Sequence, residues 1–143
     1  MAWIVDTCVL LDIRLADPVF AESSAQCLRF YSREGLGITP VTYVELAPQF
    51  YGDLAEQDAF LSAHRIQSTE SWEKQDTLTA ASHWALFVAR KRAQKLPRRP
   101  VADVLIAAFA ARFQGLITRN ADDFRKVAPT LRLVDASTFS PGS

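Results

Sequence analysis

The chain has 143 residues, of which 49% are hydrophobic and 22% are charged, and its formal net charge is zero. This length suits one domain with a sizeable core, because chains of about 150 residues bury roughly 68 to 70% of their unfolded surface. We therefore predict a single domain over residues 1–143. The composition excludes a disordered chain, and the charge balance excludes a protein that binds nucleic acid through bulk charge alone.

No targeting or membrane segment is predicted. The longest apolar run, residues 104–111, is far shorter than the ~20 residues that cross a bilayer. The N-terminus is apolar but lacks the basic start of a signal peptide. Cys8 and Cys27 have no metal-type spacing, so buried thiols are expected. We predict a cytoplasmic protein.

Two kinds of local signal predict the elements of the chain. Short, β-prone segments bounded by turn residues indicate strands. A capping residue followed by proline, or apolar residues at helical spacing, indicates a helix. In chain order these signals predict a strand at 3–5, a helix at 18–32, a strand at 37–39, a helix from Pro40 that ends at Pro48 or Gly52, a helix from 54 to about His64, an extended segment near Ile66, helices at 71–95 and 100–113, and strands at 116–118 and 131–135. The predicted caps of the first three helices are Asp17, Thr39 and Asp53.

This alternation of strands and helices predicts an α/β fold. A central, mostly parallel sheet of four or five strands would carry helices on both faces, which makes a three-layer α/β/α domain. In the long helix, apolar residues at helical spacing predict the buried stripe, namely Leu78, Ala81, Trp84 or Ala85, and Val88. Ligands of such folds bind beyond the carboxyl ends of the strands.

Acidic and amide side chains cluster at that predicted edge of the sheet. A helix that leads into a parallel strand begins at the carboxyl edge, because the crossover runs back across the sheet. The candidates are Asp6 after the first strand, Glu45 in the helix after the second, Asp103 in the first turn of the helix before the third, and Asn120, Asp122 and Asp123 after the third.

Carboxylates brought this close repel one another unless a cation neutralises them. Oxygen ligands without a cysteine or histidine pair suit Mg²⁺ or Mn²⁺. Each acid also has a local explanation. Asp6, Asp122 or Asp123 could cap a turn or helix, Glu45 could lie on a solvated face, and Asp103 could favour the positive end of its helix dipole.

A basic run lies just before the helix that carries Asp103. Residues 90–99 contain six basic residues and no acid. The run is either a solvated helix end or a track for a phosphate backbone.

Four segments in order resemble the PIN-domain ribonucleases, and in particular the VapC-type toxins of type II toxin–antitoxin systems. They are "IVDTCVLLD", "ITPVTYVEL", "ADVLIAAFA" and "LITRNADDF". The resemblance implies a PIN-like fold with catalytic, metal-binding carboxylates at Asp6, Glu45 and Asp103. Asp123 matches the commoner fourth acid, while Asp122 or Asn120 could supply that ligand instead, because Asn120 stands where the family often has an acid.

The resemblance also implies an activity and partners. The activity is hydrolysis of RNA phosphodiester bonds with one or two Mg²⁺ or Mn²⁺ ions. The partners are an RNA substrate, a small cognate antitoxin and a second copy of the chain. Thr7 and Thr118 would hold carboxylates or water in place, unless they only cap. The basic residues expected along the RNA are Arg92, Lys95, Arg98, Arg99 and Arg119.

Two other functions compete with this prediction. A catalytically silent PIN-like domain would bind RNA or act as a scaffold, yet Asp6, Glu45 and Asp103 are all present. A phosphotransferase of the haloacid-dehalogenase type is disfavoured, since it needs a second acid where this chain has Cys8.

Overall fold

The fold is built on a five-stranded parallel sheet. The computed structural model describes residues 2–90 and 100–140. The α/β architecture predicted from the sequence is confirmed. The strands are β1 Trp3–Val5, β2 Leu36–Gly37, β3 Ile66–Gln67, β4 Gly115–Thr118 and β5 Leu133–Asp135. Across the sheet they lie in the order β3-β2-β1-β4-β5.

Helices cover both faces of this sheet. Within the described ranges they are α1 Thr7–Arg14, α2 Ala21–Tyr31, α3 Pro40–Leu46, α4 Leu54–Ala63, α5 Lys74–Arg90, α6 Pro100–Ala110 and α7 Ala121–Val127. No helix in the described part of the chain is long and apolar enough to cross a membrane.

The alternating side chains of β1 separate two hydrophobic cores. Trp3 and Val5 belong to a core with α1, α2 and α4, whereas Ile4 belongs to a core with α5, α6 and α7. All three side chains are buried. This burial on both faces is typical of parallel sheets, whose strands are apolar along their whole length.

Helix α1 is missing from the sequence prediction. Asp6 caps it, because its side chain accepts a hydrogen bond from the Thr7 N–H. Asp17 was expected to cap the next helix, but it accepts from the N–H groups of Val19 and Phe20 in a turn. That helix therefore begins at Ala21 and not at Pro18.

Two predicted caps are confirmed. Thr39 caps α3 through the Thr42 N–H, and Asp53 caps α4 through the Glu56 N–H. Because Thr39 caps a helix, it lies outside β2, which ends at Gly37 and not at 39.

The stripe predicted for the long helix is wrong except at Trp84, which is partly buried and packs against the core. The buried positions of α5 are Asp76, Ala80 and Phe87, whereas Leu78 is 52% exposed and Val88 is 37% exposed. The helix begins at Lys74, three residues later than predicted, and the predicted continuation over 91–95 lies outside the described residues.

Gly115 allows β4 to approach its neighbours, and its replacement tests this packing. A Cβ at this position would lie 2.5 Å from the Arg132 carbonyl oxygen and 2.7 Å from the Trp3 ring. We expect Gly115→Ala to lower the free energy of unfolding by roughly 2–4 kcal/mol, through strain and overpacking. Urea unfolding measures this loss.

The control is Gly52→Ala. Gly52 also has a positive φ, but a Cβ there would meet nothing within 4 Å. Backbone strain alone costs about 1–2 kcal/mol. Equal losses in the two variants would contradict the steric argument.

Candidate active site

The candidate site lies where β1 and β4 end side by side. From β1 the chain passes to β2 and then to β3 on one side of β1, while β4 and β5 lie on the other side. The chain thus changes direction at this pair, and ligands of open α/β sheets bind at such a switch point. Asp6 directly follows β1, and Thr118 is the last residue of β4.

The Asp6 carboxylate is buried and held by both oxygens. It is 5% exposed. Oδ1 accepts from the Thr7 N–H at 2.8 Å, and Oδ2 accepts from the Thr118 hydroxyl at 2.8 Å and from the Cys8 thiol at 3.1 Å. These bonds set the orientation of the carboxylate. Asp6 is therefore both the cap of α1 and a fixed acid at the switch point.

Thr7 joins Asp6 to Glu45. Its backbone N–H bonds Asp6, while its hydroxyl donates to Glu45 Oε1 at 2.7 Å. The same hydroxyl lies 3.0 Å from the hydroxyl of Thr42, one turn earlier in α3. The structure therefore brings two of the predicted acids to one place, although they are 39 positions apart in the sequence.

Thr118 connects this pair to the loop that follows β4. Its hydroxyl donates to Asp6 and accepts from the Asn120 N–H at 3.0 Å. Both predicted supporting threonines, Thr7 and Thr118, are buried and hold acidic or loop groups in place.

Sequence reasoning missed the contribution of Cys8. Its thiol donates to Asp6 and lies 3.7 Å from the Thr118 hydroxyl. Burial, and then the Asp6 charge, raise the pKa of Cys8 well above its usual value, so the group stays a neutral donor. Its position two residues after Asp6 at the start of α1 was the available signal.

Asp103 lies in the first turn of α6, at the same edge of the sheet. It is partly buried, while Val104 and the 106–110 segment that follow it are buried against β4 and α5. The apolar part of α6 thus packs the helix against its neighbours, and the first turn of α6 carries Asp103. Helices α3 and α6, which carry Glu45 and Asp103, also pack against each other.

The three candidates after β4 differ in placement. Asn120 is exposed and Asp123 is partly buried. The Asp122 side chain is 92% exposed and accepts a hydrogen bond from Arg125 at 2.7 Å. Asp123, which lies in the first turn of α7, is therefore less exposed than Asp122, and the identity of the fourth acid stays a prediction.

Arg119 is engaged inside the protein. Its Nε and one NH₂ group donate to the two oxygens of buried Asp12 at 2.6 and 3.1 Å, and its guanidinium lies 4.7 Å from the Phe20 ring centre. Hydrogen bonding to Asp12 raises the pKa of Arg119. The residue connects the β4–α7 loop to α1, and its predicted role along the RNA stays a prediction.

The other predicted RNA contacts, Arg92, Lys95, Arg98 and Arg99, lie outside the described residues. Their role stays a prediction. His64 and His83, for which no catalytic role is expected, line other cavities.

A preformed metal cage is not seen in the described part of the chain. No three side chains of His, Cys, Asp or Glu within it come together closely enough to hold an ion. Mg²⁺, however, usually keeps several waters and binds through one or two carboxylates together with substrate phosphates. Asp6 and Glu45, joined through Thr7, fit that donor set.

Comparison with known proteins identifies the fold. No family model and no curated protein matches the sequence. One similar chain belongs to the crystal structure of VapBC2 from Rickettsia felis bound to a DNA fragment from its promoter. Its TM-score is 0.72 at 18% identity, and the match covers 94% of this chain and 98% of that one. VapBC-1 from nontypeable Haemophilus influenzae has one with a TM-score of 0.63 at 21% identity, with 96% and 99% covered. This chain therefore shares its fold with both VapBC structures, as the PIN-like prediction requires.

Proposed function

We propose that this protein is a metal-dependent endoribonuclease that hydrolyses RNA phosphodiester bonds and acts as the toxin of a toxin–antitoxin pair. One observation carries the proposal. At the switch point of the sheet, Thr7 bonds Asp6 and Glu45 together, and Thr118 fixes Asp6 from the neighbouring strand. A site for small neutral ligands has no need of two buried or partly buried carboxylates there.

Divalent cations are the natural complement of this site. Asp6, Glu45 and Asp103, with Asp123 or Asn120, would hold one or two Mg²⁺ or Mn²⁺ ions. When bound, the metal neutralises phosphate charge and lowers the pKa of a water. The oxygen-rich donor set favours these ions over zinc.

The remaining roles in the proposed reaction belong to four side chains near Asp6. Thr7 and Thr118 each bond one oxygen of Asp6 and so restrict the rotation of its carboxylate. Glu45 would accept a proton from the attacking water. Its hydrogen bond from the Thr7 hydroxyl, which links it to Asp6, supports this role. The neutral Cys8 thiol adds a donor to Asp6 without adding charge.

The experiment that tests this function is digestion of total RNA by the purified protein. We expect cleavage with Mg²⁺ or Mn²⁺, loss of cleavage in EDTA, and recovery when metal is restored in excess. Persistent cleavage in EDTA would reject metal-dependent hydrolysis. RNA binding without cleavage, in a preparation free of copurified inhibitor, would instead support the silent PIN-like domain.

Charge reversal at Arg98 and Arg99 tests the proposed RNA path. These residues precede α6, which carries Asp103. We expect R98E/R99E to weaken RNA binding and to reduce the slope of log affinity against log salt by about 0.7 for each lost contact with single-stranded RNA. An unchanged affinity and slope would remove the pair from the path.

The partners we propose are a small cognate antitoxin and a second copy of the chain. Support for the antitoxin comes from the two VapBC structures that share the fold. The homodimer is what the resemblance to VapC-type toxins implies. Light scattering of the purified chain measures the homodimer.

A further inference from the structure

An ion pair between Asp12 and Arg119 joins α1 to the loop between β4 and α7. The Arg119 guanidinium donates through Nε and one NH₂ group to both carboxylate oxygens of Asp12, at 2.6 and 3.1 Å. The Asp12 side chain is 5% exposed, and the guanidinium also lies 4.7 Å from the centre of the Phe20 ring. Such a two-point contact fixes direction as well as distance. The proposed reaction leaves this pair without a role.

The two helices on either side of this pair belong to different cores. Val9 and Leu10 of α1 are buried in the core that contains α2 and α4. Phe124 and Val127 of α7 are buried in the core that contains α5 and α6. These cores lie on opposite faces of the sheet, because β1 sends alternate side chains into them. Packing within either core therefore does not set the position of α7 relative to α1.

The start of α7 is held instead through its loop. Two residues, Arg119 and Asn120, separate β4 from α7. Within the described part of the chain, the Asn120 side chain makes no capping hydrogen bond to this helix. Its backbone N–H donates to the Thr118 hydroxyl, which in turn donates to Asp6. The loop thus has one connection to the N-terminal cap of α1 and a second, through Arg119, to Asp12 further along α1.

We propose that the Asp12–Arg119 pair is a positioning pair, which sets the distance between Asp6 and the acids in the first turn of α7 and thereby the affinity of the site for a divalent cation. The inference rests on the proposed function and deepens it. Both residues act through the loop, so in this role they are not ligands. Removing a partner outside the ligand shell typically lowers metal affinity 10- to 100-fold, because the ligands lose their orientation.

A second ion pair of the same geometry provides a control. Arg112 bonds both oxygens of Asp76 at 2.6 and 2.9 Å, and the Asp76 side chain is fully buried. This pair joins the end of α6 to the first turn of α5, and both helices belong to one core. It lies at the opposite end of α6 from Asp103. Its chemistry matches that of the Asp12–Arg119 pair, but it does not connect the two cores.

The test compares Asp12→Asn with Asp76→Asn, which make the same chemical change in the two pairs. Asp12 is replaced first, because Arg119 is also a predicted RNA contact and its loss would mix two effects. Binding of Mn²⁺, measured by electron paramagnetic resonance, gives the affinity. Amide hydrogen exchange of the metal-free protein, followed by NMR, gives the protection of the Asn120 N–H. A second variant, Arg119→Lys, keeps the cation but loses the two-point contact.

We expect Asp12→Asn to weaken Mn²⁺ binding about 10- to 100-fold. The Asn120 N–H should exchange faster in this variant, because the loop opens more often. Asp76→Asn should unfold at a lower urea concentration than the wild type, yet keep the Mn²⁺ affinity and the Asn120 exchange rate of the wild type. Arg119→Lys should change both quantities in the same direction as Asp12→Asn.

Unchanged Mn²⁺ affinity in Asp12→Asn overturns the inference. An equal loss of affinity in Asp76→Asn also overturns it, since the effect would then follow from lower stability alone. If Asp12→Asn does not fold, unchanged Mn²⁺ affinity and Asn120 exchange in Arg119→Lys overturn it. A wild-type chain that binds no Mn²⁺, while Asn120 exchange is faster in Asp12→Asn and not in Asp76→Asn, counts against the proposed metal site and still supports the positioning of the loop by this pair.

Discussion

Asp6→Asn is expected to reduce RNA cleavage by about 10³-fold or more, because a metal-held charge contributes several kcal/mol to the transition state and each 1.36 kcal/mol is tenfold in rate. The fold should remain intact. Asparagine and aspartate are equally good helix caps, so the substituted side chain can still accept from the Thr7 N–H. Initial rates on a defined RNA, with circular dichroism for the fold, measure the effect.

Asp53→Asn is the matched control for this variant. Asp53 also caps a helix, accepting from the Glu56 N–H at 3.1 Å, but its side chain bonds the start of α4 and not the residues that hold Asp6. The same chemical change at the same kind of position should leave cleavage unchanged. If Asp6→Asn and Asp53→Asn were equally active, Asp6 would be a cap and not a catalytic acid.

The largest expected effect on stability is that of Arg112→Ala. Arg112 bonds both oxygens of Asp76, at 2.6 and 2.9 Å, and the Asp76 side chain is fully buried. Asp76 also accepts from the Glu73 N–H at the start of α5. Removing the guanidinium leaves the buried Asp76 carboxylate without its cationic partner, which costs about 3–5 kcal/mol. Urea unfolding measures the loss.

An exposed ion pair provides the comparison. Arg125 and Asp122 are joined at 2.7 Å, yet their side chains are 60% and 92% exposed. Arg125→Ala should cost less than about 1 kcal/mol, because water and salt screen such pairs. A loss for Arg112→Ala no larger than for Arg125→Ala would contradict the buried-pair argument.

Local signals were sufficient for most elements. Proline and capping residues placed the starts of α3 and α4, and the parallel topology then placed the acids at one edge. Helix α1 is absent from the sequence prediction because its apolar residues directly follow an apolar strand. Asp6, which caps this helix, is also a candidate site residue, so its capping role alone does not indicate a helix. The α5 stripe was mistaken because apolar residues occupy several sides of that helix, so spacing alone does not identify the buried one.

The partners of each site residue were beyond the sequence. Glu45 could equally have faced solvent, and only the packing of α3 against α1 brings it to the Thr7 hydroxyl. Arg119 follows β4 beside the acids, and its charge indicates a contact with RNA. In the structure it also bonds Asp12, which lies 107 positions away, and no local pattern encodes that pair.

We propose that the acids at the carboxyl edge hold a divalent cation. Binding of Mn²⁺, measured by electron paramagnetic resonance on the purified wild-type chain and on Asp6→Asn, tests it most directly. We predict saturable binding of one or two ions by the wild type, and loss of at least one in Asp6→Asn, with Asp53→Asn unchanged. Equal Mn²⁺ binding by all three proteins, or none by a wild-type protein that cleaves RNA, would contradict the account.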